Sequence, residues 1–166
     1  MKILFGKTFY SLLISAVLLL SFTKIADRAN FSGDWKLNES KSELGDFSGF
    51  VPRSLKVEQK ENAIAITRTT PGFNGGDPVT ASVTLSYDGK ITESEGFGGS
   101  KRKSTAKWSD DGSALTVNNT ITFENDGQTN EFKSTETWTL KDGLLSVVTH
   151  SNSPRGETTT KAIYTH

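Results

Sequence analysis

The chain has 166 residues, 19 basic against 19 acidic side chains, and no cysteine. That length suits one domain, and the missing cysteines exclude disulfides, thiolate chemistry and a lipid-modified cysteine anchor. Lys2, Lys7 and Lys24 all precede the first acidic residue, so the remainder is weakly acidic and lacks the basic footprint of a nucleic-acid binder.

The start reads as an export signal. Lys2 and Lys7 provide a positive region, and the apolar run from Leu12 to Leu20 provides a hydrophobic one. The run falls short of the roughly 20 apolar residues of a membrane span, so no membrane span is expected. Residues 1–26 are expected to be a signal peptide, with cleavage between Thr23 and Ala29. Residues 30–166 would then form a single β-barrel domain in the periplasm or outside the cell.

From Phe31 onward the pattern alternates between apolar and polar residues. The alternating segments are separated by four Asp-Gly pairs, at Asp88, Asp111, Asp126 and Asp142. Asp-Gly suits type I′ hairpin turns, whose two central residues need positive φ. The intervening segments are rich in Thr, Val and Ile, which favour strands. In chain order the pattern predicts strands at 31–37, 54–59, 63–70, 78–87, 90–95, 100–109, 114–124, 128–140, 144–150 and 157–165. Only 38–45 has helical character, for one or two turns with Gly45 as the stop.

Serial short strands of this kind predict an all-β fold: an antiparallel up-and-down barrel of about ten strands, with a two-sheet sandwich as the alternative. An even strand count lets the first and last strands close antiparallel.

The first strand reads Phe31-Ser32-Gly33-Asp34-Trp35-Lys36-Leu37, with Phe31, Gly33, Trp35 and Leu37 on one face. Trp35 would plug one end of the barrel, and Gly33 would permit a bend or a close approach. The segment resembles the Gly-x-Trp opening of lipocalins and, more fully, the opening of intracellular fatty-acid-binding proteins. Its extension through Asn38 and Lys41-Ser42 is similar to exported lipocalin-like proteins of Gram-negative bacteria. The resemblance implies a calycin-type barrel that holds a small ligand inside. It does not extend to the Arg-x-Tyr pair of the last strand, where this chain has Lys161-Ala162-Ile163-Tyr164.

Residues i and i+2 of a strand share a face. The apolar parity therefore turns Leu55, Val57 and Gln59 inward, along with Ile64, Ile66 and Arg68. It does the same for Val79 to Tyr87 in odd steps, Arg102 to Trp108 in even steps, and Leu115 to Phe123 in odd steps. Phe132, Ser134, Glu136, Trp138 and Leu140 complete the set. Thr116, Asn118, Thr120 and Thr122, with Glu131 to Thr139 in odd steps, make an outward polar stripe, as expected of a sheet wetted on one side.

Arg68, Arg102 and Glu136 are charged yet point inward, accompanied by Asn119. A buried carboxylate is costly unless paired. Two accounts stand side by side: an internal Glu–Arg pair that fills the barrel, and a polar anchor in a ligand cavity. In the second, the arginines would hold an anionic or polar head group, and Trp138, Phe132 and Tyr87 would line the apolar part.

Other chemistry is poorly supplied. His150 and His166 are the only imidazoles and form no metal-ligand pattern. His150 would face inward with Val148, in a structural role. No Gly-x-Ser-x-Gly elbow is present, and Glu93 and Glu95 suit an exposed edge. Gly96 to Lys101 lacks the helix that a phosphate loop needs, and Phe73, in the loop 71–78, is a candidate lid or partner contact. No enzyme activity, cofactor or metal is expected. The expected function is non-catalytic binding of a small hydrophobic or amphiphilic ligand, with a filled-barrel interaction module as the alternative.

Overall fold

The computed structural model describes residues 27–166 apart from 73–74, 97–99, 126 and 154–155, and the side chains of 125 and 153 are likewise left aside. Phe73 and part of the 96–101 loop therefore lie outside the described residues, as does the whole predicted signal segment.

Ten strands follow one another: β1 Gly33–Leu37, β2 Ser54–Gln59, β3 Ala63–Thr70, β4 Val79–Ser86, β5 Thr92–Glu95, β6 Lys101–Trp108, β7 Ala114–Asn125, β8 Gln128–Lys141, β9 Leu144–Ser153 and β10 Gly156–Thr165. All ladders are antiparallel, and the strand order is β4-β3-β2-β1-β10-β9-β8-β7-β6-β5. The first and last strands do pair, at Lys36↔Thr165 and Leu37↔Tyr164. Glu43 extends that contact by bridging to Lys161. The sheet is a nearly closed barrel whose two remaining edges, β4 and β5, face each other across a seam.

Two local expectations change. The helical stretch is a pair of short 3-10 segments, Glu39–Lys41 and Gly45–Phe50, and Gly45 opens the second of them at φ +53°. Asn38 caps the first, accepting from the backbone N–H of Lys41, and its short polar side chain stabilises a turn more readily than a long helix. Among the described Asp-Gly pairs, only Asp142-Gly143 has both residues at positive φ, 52° and 74°. Asp111 instead bonds around its own turn, accepting from the Ser109 hydroxyl and the Ser113 backbone N–H at 2.6 and 3.0 Å. These bonds lower its carboxyl pKa to about 2.

Gly33 is required where it stands. Its φ is +141°, and a Cβ there would come within 2.6 Å of the His166 ring, which lies against Trp35. Only glycine accepts both the conformation and the approach.

The inward parity holds on β2, β3, β4, β6, β7 and β8, and is corrected on β9. There Glu136 pairs with Thr149 and Trp138 with Val147, so the odd residues face inward. Leu145 and Val147 are buried, whereas His150 is exposed on the outer wall with its Nδ1 2.8 Å from the Thr159 hydroxyl. The run Leu144-Leu145-Ser146-Val147-Val148 is apolar on both faces, so alternation alone does not decide its phase.

Because the strands alternate in direction, their connections sort into two ends. Short turns at 60–62, 87–91, 109–113 and 142–143 make the closed end, and the longer connection 38–53 lies at the open one, with the described residues that follow β3 and β5. Residues 27–32 lead into β1 across the closed end. Gln59 holds this leader, accepting from the Phe31 backbone N–H and donating to the Ala29 carbonyl. Phe31 is fully buried, stacked on Trp108 at 5.4 Å and edge-on to Trp138 at 6.0 Å. Trp35 donates its indole N–H to the Phe31 carbonyl at 2.8 Å, so it plugs the barrel as expected.

Candidate functional site

Side-chain size along the inward face divides the barrel in two. Toward the closed end the inward residues are large: Trp35, Ile64, Ile66, Leu85, Leu115 and Trp138 are each at most 1% exposed. Toward the open end they are smaller or polar: Thr70, Ala81, Ser94, Ser134, Thr149 and Thr160. None of these six is buried. Val79 and Phe123, which also face inward there, remain 44% and 42% exposed. The lower half is therefore a packed core, and the upper half, termed the cup below, keeps its inward side chains partly exposed.

A polar layer separates them. Arg68 on β3 reaches across to Glu136 on β8 as a fork: Nη1 donates to Oε1 at 3.1 Å and Nη2 to Oε2 at 2.8 Å. Asn119 Nδ2 donates to Oε1 at 3.1 Å, and the Trp138 indole N–H to Oε2 at 2.9 Å. The Ser104 hydroxyl completes the chain, donating to Asn119 Oδ1 at 2.7 Å. Each carboxylate oxygen of Glu136 thus accepts two bonds, satisfying a buried charge that would otherwise be costly.

Arg102 on β6 is the exception. Its Nε is buried without a partner, and the side chain makes no hydrogen bond or ion pair with any described residue. Burial, followed by the positive charge of Arg68, pushes the pKa of its guanidinium down, against an opposing pull from Glu136. Two arginines and one carboxylate leave the layer with an uncompensated positive charge.

Of the seven predicted site residues, the structure joins Arg68, Asn119, Glu136 and Trp138 directly. Trp138 is the floor beneath the carboxylate rather than a wall, with the Arg68 guanidinium 5.7 Å from its ring. Arg102 stands beside them, and Phe132, half-buried, lines the cup next to Ile121. Tyr87 is not part of this group: it sits at the closed end, with Arg28 4.9 Å over its ring and Trp108 edge-on at 5.6 Å. Burial pushes its phenol up to about 12, against the charge of Arg28. Its hydroxyl and the Trp108 indole N–H are both buried without a hydrogen-bond partner.

Sequence reasoning left Ser104 and Tyr164 out of the site. Ser104 was legible by parity, opposite Asn119. Tyr164 is buried near Arg68 and Glu136 and donates to the Pro52 carbonyl at 3.1 Å. Burial also raises its phenol pKa strongly.

Two shallow depressions lie on the outer wall, about 370 Å³ around Lys133, His150 and Thr159 and about 120 Å³ around Lys36 and Lys56. Neither touches the polar layer. Among the described residues there is no metal-binding cluster and no helix long and apolar enough to cross a membrane.

The fold, a nearly closed ten-stranded antiparallel barrel, is similar to those of a bile-acid-binding and a fatty-acid-binding protein. A zebrafish ileal bile-acid-binding protein complexed with cholic acid superposes with a TM-score of 0.51 at 18% identity, over 81% of this chain and 97% of that one. The fatty-acid-binding protein of Manduca sexta gives 0.52 at 15% identity, over 83% and 100%. No protein-family model and no curated protein sequence matches the chain.

Proposed function

We propose that this protein binds a small amphiphile with an anionic head in the open half of its barrel, without catalysis, after export to the periplasm or the extracellular space. The observation that carries the proposal is Arg102, a cation beside the cup with no described partner. An anion there would gain charge-assisted hydrogen bonds and balance the layer, whereas Arg68 is already committed to Glu136. The two similar folds are named for fatty-acid and bile-acid binding, which supports a ligand of this kind. The signal-like start supports export.

The test compares dodecanoate with dodecanol, equal in chain length and different in charge. The protein is expected to bind dodecanoate saturably and more tightly. Arg102→Ala should weaken the acid by about ten- to a hundredfold, the worth of a hydrogen bond to a charged group, and leave the alcohol unchanged. An unaltered affinity for the acid would refute Arg102 as the anchor.

The packed closed half and the exposed Phe47 and Phe50 favour a second reading, a filled barrel that contacts other proteins. That reading expects neither compound to saturate.

A further inference from the structure

We infer that the seam between β4 and β5 is a ligand subsite that takes the apolar chain of a single-chain anionic amphiphile whose head lies on Arg102. The inference rests on the proposed function and adds where the chain of the ligand goes.

The closed half of the barrel offers no room for it. Trp35, Ile64, Ile66, Leu115 and Trp138 fill that space, and interiors of this kind are close-packed. The layer formed by Arg68, Glu136 and Asn119 would also have to be broken to reach it. An apolar chain must therefore find its contacts above the layer.

The seam supplies them. β4 and β5 are the two ends of the strand order, and no ladder joins them. Thr92 Oγ1 donates to the Thr84 carbonyl at 3.4 Å, toward the closed end. Above that point no hydrogen bond between described residues links the two strands. Val79, Ala81 and Val83 form an apolar strip along the inner edge of β4; the first two are exposed and the third half-buried. Facing them, β5 turns Thr92 and Ser94 inward, and Ser94 is the direct register partner of Arg102 on β6.

Neighbouring strands lie about 4.8 Å apart. One strand therefore separates the proposed head anchor from the seam, a span that a few methylenes cross.

The edges differ in a way that suits this occupant. β5 has four residues, carries Glu93 and Glu95, and pairs Glu93 with Lys103 at 3.4 Å. Short length and charge are common protections of a free edge. β4 has eight residues and no charge, and keeps one-to-one register with β3 throughout. Its free edge lacks those protections, and its apolar strip lies exposed where a hydrocarbon chain would cover it.

Nitrogen-15 spectra of the protein with 5-doxyl- and 12-doxyl-stearate test the placement, because a nitroxide broadens nearby amide signals. The 5-doxyl probe should broaden Arg102 and Ile121, and the 12-doxyl probe should broaden Val79, Ala81 and Ser94. Ala81→Gln, at an exposed position, should weaken dodecanoate about tenfold without altering thermal unfolding. Saturable binding with the 12-doxyl signal at Leu115, Val117 and the Trp138 indole would overturn the seam and leave the proposed function standing. So would an unchanged dodecanoate affinity in Ala81→Gln. No saturable binding by any of the three acids would remove both.

Discussion

The two halves of this barrel share strands and backbone geometry, yet they differ in nearly everything their side chains do. At the closed end the inward residues are tryptophans, isoleucines and leucines that meet across the axis, with the leader segment 27–32 drawn over them. At the open end the same strands present alanine, serine and threonine among Val79, Ile121, Phe123 and Phe132, and these side chains stay partly exposed. A barrel of this kind is filled or hollow according to residue volume at each level. The polar layer lies where one regime gives way to the other.

Breaking the layer should have the largest effect. Glu136→Leu would leave Arg68 beside Arg102 with no carboxylate, and loss of one partner of a buried pair costs about 3–5 kcal/mol. The double variant Arg68→Met/Glu136→Leu should recover much of that loss in urea unfolding, since an apolar pair removes both desolvation penalties. If the double variant were no more stable than Glu136→Leu, the pair would not be the source of the loss.

Next come matched truncations in the two halves. Leu115→Ala in the closed half should cost about 2–5 kcal/mol, the usual range for a packed core leucine. Ile121→Ala, six residues further along β7 and only partly buried, should cost about 1 kcal/mol or less. Equal losses would mean that the upper half is as tightly packed as the lower.

The smallest effect concerns pH. The Tyr87 phenol has its pKa raised from 10 to about 12 in the folded protein. Below pH 10 the folded and unfolded forms both keep the proton, and its contribution is intact. As pH rises toward 12 the unfolded chain loses the proton first, so stability falls across that window. Tyr87→Phe should flatten part of the alkaline fall in melting temperature and leave neutral pH behaviour nearly unchanged. A profile identical to the parent would assign the fall to other groups.

Much of this was legible in strand parity. Arg68, Arg102, Asn119 and Glu136 were placed on the inner face because their strands alternate cleanly, and a one-residue slip would reverse every side chain. The β9 phase was not legible, because Val147 and Val148 are equally apolar and only the ladder with β8 selects the first. Tyr87 shares the inward parity of β4 but lies at the closed end, since parity reports face and says nothing of height along the barrel.

The sequence by itself determined the antiparallel strand succession, the inward and outward faces of most strands, the allowance for a bend or close approach at Gly33, and the presence of charge inside. Local propensity and a period of two carry that information, and both are properties of neighbouring residues. Only the tertiary structure decided which charges meet. Arg68 and Glu136 are 68 positions apart and pair because barrel closure brings β3 opposite β8. The same closure leaves Arg102 without a described partner and sets the one unpaired seam between β4 and β5. Such cross-barrel neighbours depend on strand tilt and closure, which no local pattern encodes.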